Sequence, residues 1–316
     1  LNGTSDLIEK LKKKGVKRVA LQFPEGLKRR SAEVTSALKD AGFDVIVSGD
    51  PCYGACDLAL DTLNFAEVLV HFGHSPVEPV DNHPQVIFEP YQIDFNVAVM
   101  ENALPLLKGG TVGLVTTIQH IHLIPAMEAF LHSKRITGIV AEGSRRTPNR
   151  GQVLGCNFAA ATATRADEIL FVGTGLFHPI GIALATHARV IALDPLTGTA
   201  QEVNGDTLIR RRFALIEKAR GAKTIGIIVS TKNGQQRMDL ALRLAMLLPG
   251  AVIVTMREVN ADELLNLGFA CYVNTACPRL AYDDQERFPV PVLSPQEFEI
   301  LCNARSWDDY AIDEIA

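Results

Sequence analysis

The residues best able to do chemistry are six cysteines: Cys52, Cys56, Cys156, Cys271, Cys277 and Cys302. Three of them lie in loop-like runs, one in each third of the chain. Cys56 is in Gly49-Asp50-Pro51-Cys52-Tyr53-Gly54-Ala55-Cys56-Asp57, Cys156 in Gly151-Gln152-Val153-Leu154-Gly155-Cys156-Asn157, and Cys277 in Asn274-Thr275-Ala276-Cys277-Pro278-Arg279. Their wide separation fits no local metal-binding pattern. Three thiolates suit either zinc or an iron–sulfur centre. A zinc ion on three cysteines usually takes a fourth protein ligand, whereas a 4Fe-4S cluster normally takes four cysteines and on three would keep one iron open. The bland alternative is three unrelated buried thiols. Cys52-x-x-x-Cys56 could supply two ligands from one loop, but Cys56 is nearer the next helical start, where a thiolate is stabilised. Cys271 and Cys302 read as small apolar packing residues.

The elements that must position these loops follow one rhythm three times. Short apolar runs rich in Val and Ile fall at 18–22, 44–48, 67–72 and 85–88, again at 111–116, 137–140, 168–172 and 190–193, and again at 224–229, 251–255, 269–273 and, less clearly, 290–293. Such runs, without alternation, suit strands buried on both faces. Amphipathic stretches at 26–41, 119–132, 206–219, 235–247 and 297–303 lie between or after them. Strands alternating with helices predict parallel sheets with crossover helices. The fold class is therefore α/β, with three similar domains at 1–95, 96–205 and 206–316, each a small mostly parallel sheet with flanking helices. Ligands in open parallel sheets sit outside the carboxyl ends of the strands. If the domains pack around a pseudo-threefold axis, one cysteine from each reaches a central site. The first strand of each copy runs into a polar turn, 22–26, 116–120 and 230–235. These turns either face that site or cap the helices that follow.

Composition narrows the function classes. The chain has 316 residues, 47% hydrophobic and 21% charged, with a net charge of −5. That balance is ordinary for a globular protein and opposes a broad nucleic-acid-binding face. No apolar run approaches the roughly 20 residues of a membrane span. Leu1-Asn2-Gly3 shows no signal-peptide pattern and reads as a trimmed end. The expectation is a cytoplasmic protein, where disulfides are a poor default.

The three cysteine runs, together with Val70-His71-Phe72-Gly73-His74-Ser75, closely resemble the archaeal diphthamide synthase family, the 2-(3-amino-3-carboxypropyl)histidine synthases. The resemblance spans nearly the whole chain. It implies a homodimer and a 4Fe-4S cluster on Cys56, Cys156 and Cys277, with Cys52 not a ligand. It implies an atypical radical S-adenosylmethionine enzyme, and the chain lacks the usual Cys-x-x-x-Cys-x-x-Cys triplet. The implied reaction moves a 3-amino-3-carboxypropyl group to a histidine of translation elongation factor 2, releasing methylthioadenosine, with electrons from a donor the sequence does not identify. Thr116, Ser230 and Gln235 are placed by position to hold the amino-acid end of the cosubstrate.

Rival readings are a quinolinate-synthase-like enzyme, whose open iron acts as a Lewis acid, and a zinc-stabilised or metal-free α/β binding protein. Weaker signals surround the main one. His71 and His74 end a strand in a ligand-facing place, as site residues or as structural hydrogen-bonding groups. Arg145, Arg146 and Arg150 suit a carboxylate or an acidic partner, or form a solvated loop. Lys12–Lys14 and Arg210–Arg212 read as exposed helix faces. Asp283-Asp284 either touches the cosubstrate or caps a turn.

Overall fold

The computed structural model describes residues 4–77 and 83–315; Leu1-Asn2-Gly3, the expected trimmed end, lies outside the described residues. Two compact units result: Leu1–Ile93 with Lys232–Gly234, and Asp94–Thr231 with Gln235–Ala316.

The first unit contains α1 (Thr4–Lys14), β1 (Arg18–Gln22), α2 (Ser31–Asp40), β2 (Asp44–Val47), β3 (Val68–Phe72) and β4 (Val86–Glu89). Its four strands are parallel in the order β2-β1-β3-β4. The central strand β3 is buried along its whole length, as its unbroken Val-Leu-Val-His-Phe run requires. Leu7 and Leu11 of α1, and Val34 and Leu38 of α2, recur at helical spacing and pack on Val19, Leu21, Val68 and Val70. Burying each such side chain contributes about 1.5–3 kcal/mol.

The second unit holds two further sheets. One is built from β5 (Gly110–Thr116), α3 (Ile124–Ser133), β6 (Ile136–Ile139), α4 (Ala159–Ala163), β7 (Glu168–Val172), α5 (Phe177–Thr186), β8 (Arg189–Leu193) and β9 (Ala200–Val203), in strand order β6-β5-β7-β8-β9. The other follows from α6 (Asp206–Ala219), β10 (Ile225–Ser230), α7 (Met238–Leu247), β11 (Val252–Met256), α8 (Ala261–Leu267), β12 (Cys271–Asn274), α9 (Pro278–Tyr282), β13 (Val292–Leu293) and α10 (Pro295–Leu301), in order β11-β10-β12-β13. Every sheet thus places its first strand between its second and third. The expected strands all form within two residues or so of their apolar runs. The addition is β9, which pairs antiparallel with β8. Its Ala-Gln-Glu-Val sequence carries no apolar run; Arg189 of β8 bonds Glu202 at 2.6 Å and also pairs with Glu168 of β7.

Two expectations about charge and burial fail. Lys12–Lys14 are exposed, but Arg212 is fully buried. Its guanidinium pairs with the buried Glu297 and donates to the Val292 carbonyl at 2.7 Å. Glu297 is held by a capping box with Ser294 at the start of α10. A helix-face charge becomes a core residue because a counter-charge arrives from far along the chain. Cys302, expected in the core, is only partly buried, against the third sheet's cluster, whereas Cys271 is fully buried as expected.

Removing one member of a buried ion pair strands the other, at about 3–5 kcal/mol. Glu297→Ala should lower unfolding free energy by that amount. Arg212→Met with Glu297→Leu should cost clearly less than the two single changes summed. Urea unfolding of the four proteins measures the coupling, and strict additivity would contradict the pairing.

Candidate cluster-binding loops

In the first unit, Cys56 lies beyond the carboxyl end of β2, in a loop tied to the sheet by Gln22 at the end of β1. Gln22 Nε2 donates to the Asp57 carbonyl at 2.7 Å, and its Oε1 accepts the Ala59 N–H at 3.2 Å. The same Oε1 is 2.8 Å from His71 Nδ1. Lys232–Gly234 complete this unit. Lys232 Nζ reaches Asp57 Oδ2 at 2.8 Å, with both side chains buried, and lies 4.8 Å from the centre of the Tyr53 ring. The Gly234 N–H donates to the Cys56 carbonyl at 3.0 Å. A Cβ at residue 234 would fall 2.5 Å from the Cys56 Cα, so only glycine permits this approach.

Cys52 differs from Cys56. It is buried, and burial, with the Asp57 charge second, pushes its thiol up to about 12. Cys52 is thus held as a neutral thiol, whereas Cys56 is partly exposed.

In the second unit, the Cys156 and Cys277 loops come together. The Cys156 loop leaves the sheet through a bridge between Thr116 and Gln152. Cys277 stands at the start of α9, with its carbonyl bonded by Asn274 Nδ2 at 2.8 Å. A Cβ at Gly155 would meet the Arg279 Cδ at 3.0 Å and the Phe177 ring at 2.7 Å. The Arg279 guanidinium stacks over Phe177 at 4.6 Å and pairs with Asp283 at 2.7 Å. Beside it, burial first and then Arg279 lower His178 to about 4, leaving a neutral ring.

The segment 312–315 fastens both loops. The Ile315 N–H bonds the Cys156 carbonyl at 2.8 Å, Asn157 Nδ2 bonds the Ile315 carbonyl at 3.0 Å, and Glu314 accepts the Phe158 N–H at 2.6 Å. On the other side, Arg237 forks onto Asp313 at 2.9 and 2.6 Å and donates to the carbonyls of Thr275 and Ala276, next to Cys277. None of this network was evident in the sequence. Arg237 and Asp313 are ordinary residues until the chain folds, although the polar pair inside Ile312-Asp313-Glu314-Ile315 was a signal that could have been weighed.

The remaining expected site residues fall as follows. Thr116 ends β5 and spends its hydroxyl proton on the Val172 carbonyl at 2.6 Å. Ser230 ends β10, and both Ser230 and Gln235 are buried. The turns after β5 and β10 provide no side-chain cap to the helices that follow, so helix capping does not account for them. Arg146 is buried, Arg145 is exposed, and Arg150 bonds the Val140 carbonyl at 2.8 Å. Asp283 is engaged by Arg279 and Asp284 by Arg287 at 3.2 Å. A soft donor set of partly exposed cysteines, on loops held by backbone bonds, fits an iron–sulfur cluster.

Asp313→Ala should free both loops in the second unit. A loss of about 3 kcal/mol from the broken pair corresponds to roughly 100-fold faster amide exchange at Phe158 and Ile315. Exchange in peptides spanning Cys56 should not change. Unaltered exchange at Phe158 would remove the clasp from the account.

Comparison with known proteins agrees with this arrangement. The model of the diphthamide synthesis protein family matches residues 23–312. The 2-(3-amino-3-carboxypropyl)histidine synthase of Pyrococcus horikoshii is 37% identical, over 98% of this chain and 92% of that protein. The synthase of the same name from Methanocaldococcus jannaschii is 27% identical, over 98% and 90%. The crystal structure of Dph2 from Pyrococcus horikoshii with a 4Fe-4S cluster superposes with a TM-score of 0.92 at 37% identity, covering 99% of this chain and 93% of that one. With nearly its whole length matched in both sequence and fold, the chain belongs to the diphthamide synthesis protein family.

Proposed function

We propose that this chain is a 2-(3-amino-3-carboxypropyl)histidine synthase that uses S-adenosylmethionine to modify a histidine of translation elongation factor 2. The observation that carries the reading is a set of cysteine loops at the carboxyl ends of parallel strands, in a chain similar along its length to a protein crystallised with a 4Fe-4S cluster. Cys56, Cys156 and Cys277 are the proposed ligands. When bound, the cluster supplies one-electron reduction beside an iron that no protein sulfur caps.

The chain's own residues then decide which bond breaks. Cleavage between sulfur and the methionine γ-carbon leaves methylthioadenosine and a four-carbon amino-acid fragment. Bonding of that fragment to an imidazole carbon expels one proton, and the borrowed electron returns, so the transfer is redox-neutral overall. Thr116, Ser230 and Gln235, buried at the sheet ends, are proposed to orient the amino-acid end of the cosubstrate. Orientation of reacting atoms is worth up to about 7–11 kcal/mol, so a fixed pose selects one carbon–sulfur bond. The Asp57–Lys232 and Arg237–Asp313 pairs act by fixing the cysteine loops.

Elongation factor 2 as the substrate, a homodimer, a separate electron donor and a cytoplasmic location belong to the same proposal. Among the described residues, no helix is long and apolar enough to cross a membrane.

Anaerobically reduced protein with S-adenosylmethionine should release methylthioadenosine, read by mass spectrometry, and should add the fragment to one histidine of elongation factor 2. Cys56→Ala, Cys156→Ala and Cys277→Ala should lose iron and activity, while Cys302→Ala keeps both. Dominant 5′-deoxyadenosine, or quinolinate formation, would overturn the reading.

Sedimentation of the iron-loaded protein at micromolar concentration should give about twice the 34.3 kDa chain mass. A stable monomer under those conditions would refute the dimer.

A further inference from the structure

The first unit contains a second group of soft ligands. One ligand atom each from Cys52, His71 and His74 lies within 4.8 Å of the other two. Cys52 and His71 are buried, and His74 is partly so. We propose that Cys52, His71 and His74 form a binding site for a divalent ion of the zinc type, distinct from the Cys56, Cys156 and Cys277 set.

The donor chemistry fits. One thiolate and two imidazoles suit a borderline-soft cation, and three protein ligands leave a fourth position for water. The hydrogen bonds around His71 fix its tautomer. Gln22 Nε2 is committed to the Asp57 carbonyl, and Gln22 Oε1 already accepts the Ala59 N–H. The atom facing His71 Nδ1 at 2.8 Å is therefore an acceptor, so Nδ1 carries the hydrogen. The Nε2 lone pair of His71 then points at His74, whose Nδ1 is 3.0 Å away. In the metal-free protein the His74 Nδ1–H donates into that lone pair; an ion would take its place, while donation from His71 Nδ1 to a fixed oxygen supplies the outer support usual for a metal-bound histidine.

The rings are in the required charge state. Burial, with His74 second, lowers His71 to about 3, and burial lowers His74 to about 4. Both imidazoles are neutral near pH 7, as metal ligation demands. Cys52 Sγ makes a long contact of 4.0 Å to the Gly54 carbonyl. A cation with two positive charges would reverse the penalty that burial places on its thiolate. Binding then releases one proton, from the Cys52 sulfur. Tetrahedral zinc with bonds of about 2.0–2.1 Å to nitrogen and 2.3 Å to sulfur separates its ligand atoms by about 3.3–3.6 Å. The present spacing closes to that range by side-chain movements of about 1 Å. The ion would pin the end of β3 to the loop that carries Cys56.

The test uses the iron-loaded protein under anaerobic conditions. It is equilibrated with zinc chloride and dialysed against a weak chelator, and zinc and iron are counted separately. The expected result is about one zinc per chain with iron unchanged. Zinc X-ray absorption should show one sulfur at about 2.3 Å and two nitrogens at about 2.0 Å. Cys52→Ala and His74→Gln should each lower retained zinc at least tenfold, while Cys302→Ala retains it. Absence of zinc from the native protein, a shell of three sulfurs, or equal zinc in Cys52→Ala and His74→Gln would each overturn the site. If a variant loses iron through misfolding, the native absorption spectrum still decides. Failure to hold iron would count against the cluster proposal alone, because the zinc shell is read independently.

Discussion

The fork of Arg237 onto Asp313 is the constraint on which the second unit's chemistry depends. Neither cysteine loop in that unit lies within a strand or helix; local backbone bonds hold each only in part, through the Thr116–Gln152 and Leu154–Asn157 bridges around Cys156 and the Leu280 N–H bond to the Cys277 carbonyl. Arg237 adds bonds from outside the loop on the Cys277 side, and the segment anchored through Asp313 adds them on the Cys156 side. A bidentate pair suits this role because it fixes direction as well as distance. The buried carboxylate is tolerable only because the guanidinium is present. The network therefore couples the two loops to one another.

The first unit solves the same problem with different residues. Gln22 acts as a hub that reads the loop with its amide and the β3 histidine with its carbonyl oxygen. Asp57 is neutralised by Lys232, whose ammonium also meets the face of Tyr53. Arginine with aspartate in one unit and lysine with aspartate in the other both place charge behind a cysteine loop. In neither case does the charge need to touch a substrate to matter.

The parts of the fold legible in the sequence are those with local causes. Val- and Ile-rich runs became strands because strands buried on both faces need uninterrupted apolar side chains. The fourth strand of the last copy, expected least clearly, is also the shortest at Val292–Leu293. What escaped had non-local causes. Strand β9 carries no apolar run; only Val203 and Ala200 meet the flanking cores, and an ion pair helps hold it to its sheet. Arg212 looked solvated because its partner Glu297 lies in another helix. The cysteine loops themselves were legible, since Gly, Asp and Asn mark turns, but the bonds that fix them come from residues remote in sequence. His71 at the end of β3 and His74 just beyond it show a position and not a purpose in the sequence, because the proximity of Cys52 arises only on folding.

Lys232–Gly234 belong to the first unit although the whole middle of the chain separates them from it. During synthesis at about 5–20 residues per second, the parallel sheet of the first unit can form long before this segment exists. Until then Asp57 has no ammonium, and the backbone of Cys56 lacks the glycine that packs against it. Closing so long a loop adds little to the equilibrium cost, which grows only logarithmically, but it delays the contact in time. The Cys56 loop is thus among the last features of its unit to set, closing only once residues 232–234 have been made. For that interval the Cys56 loop is without two of the contacts that later fix it.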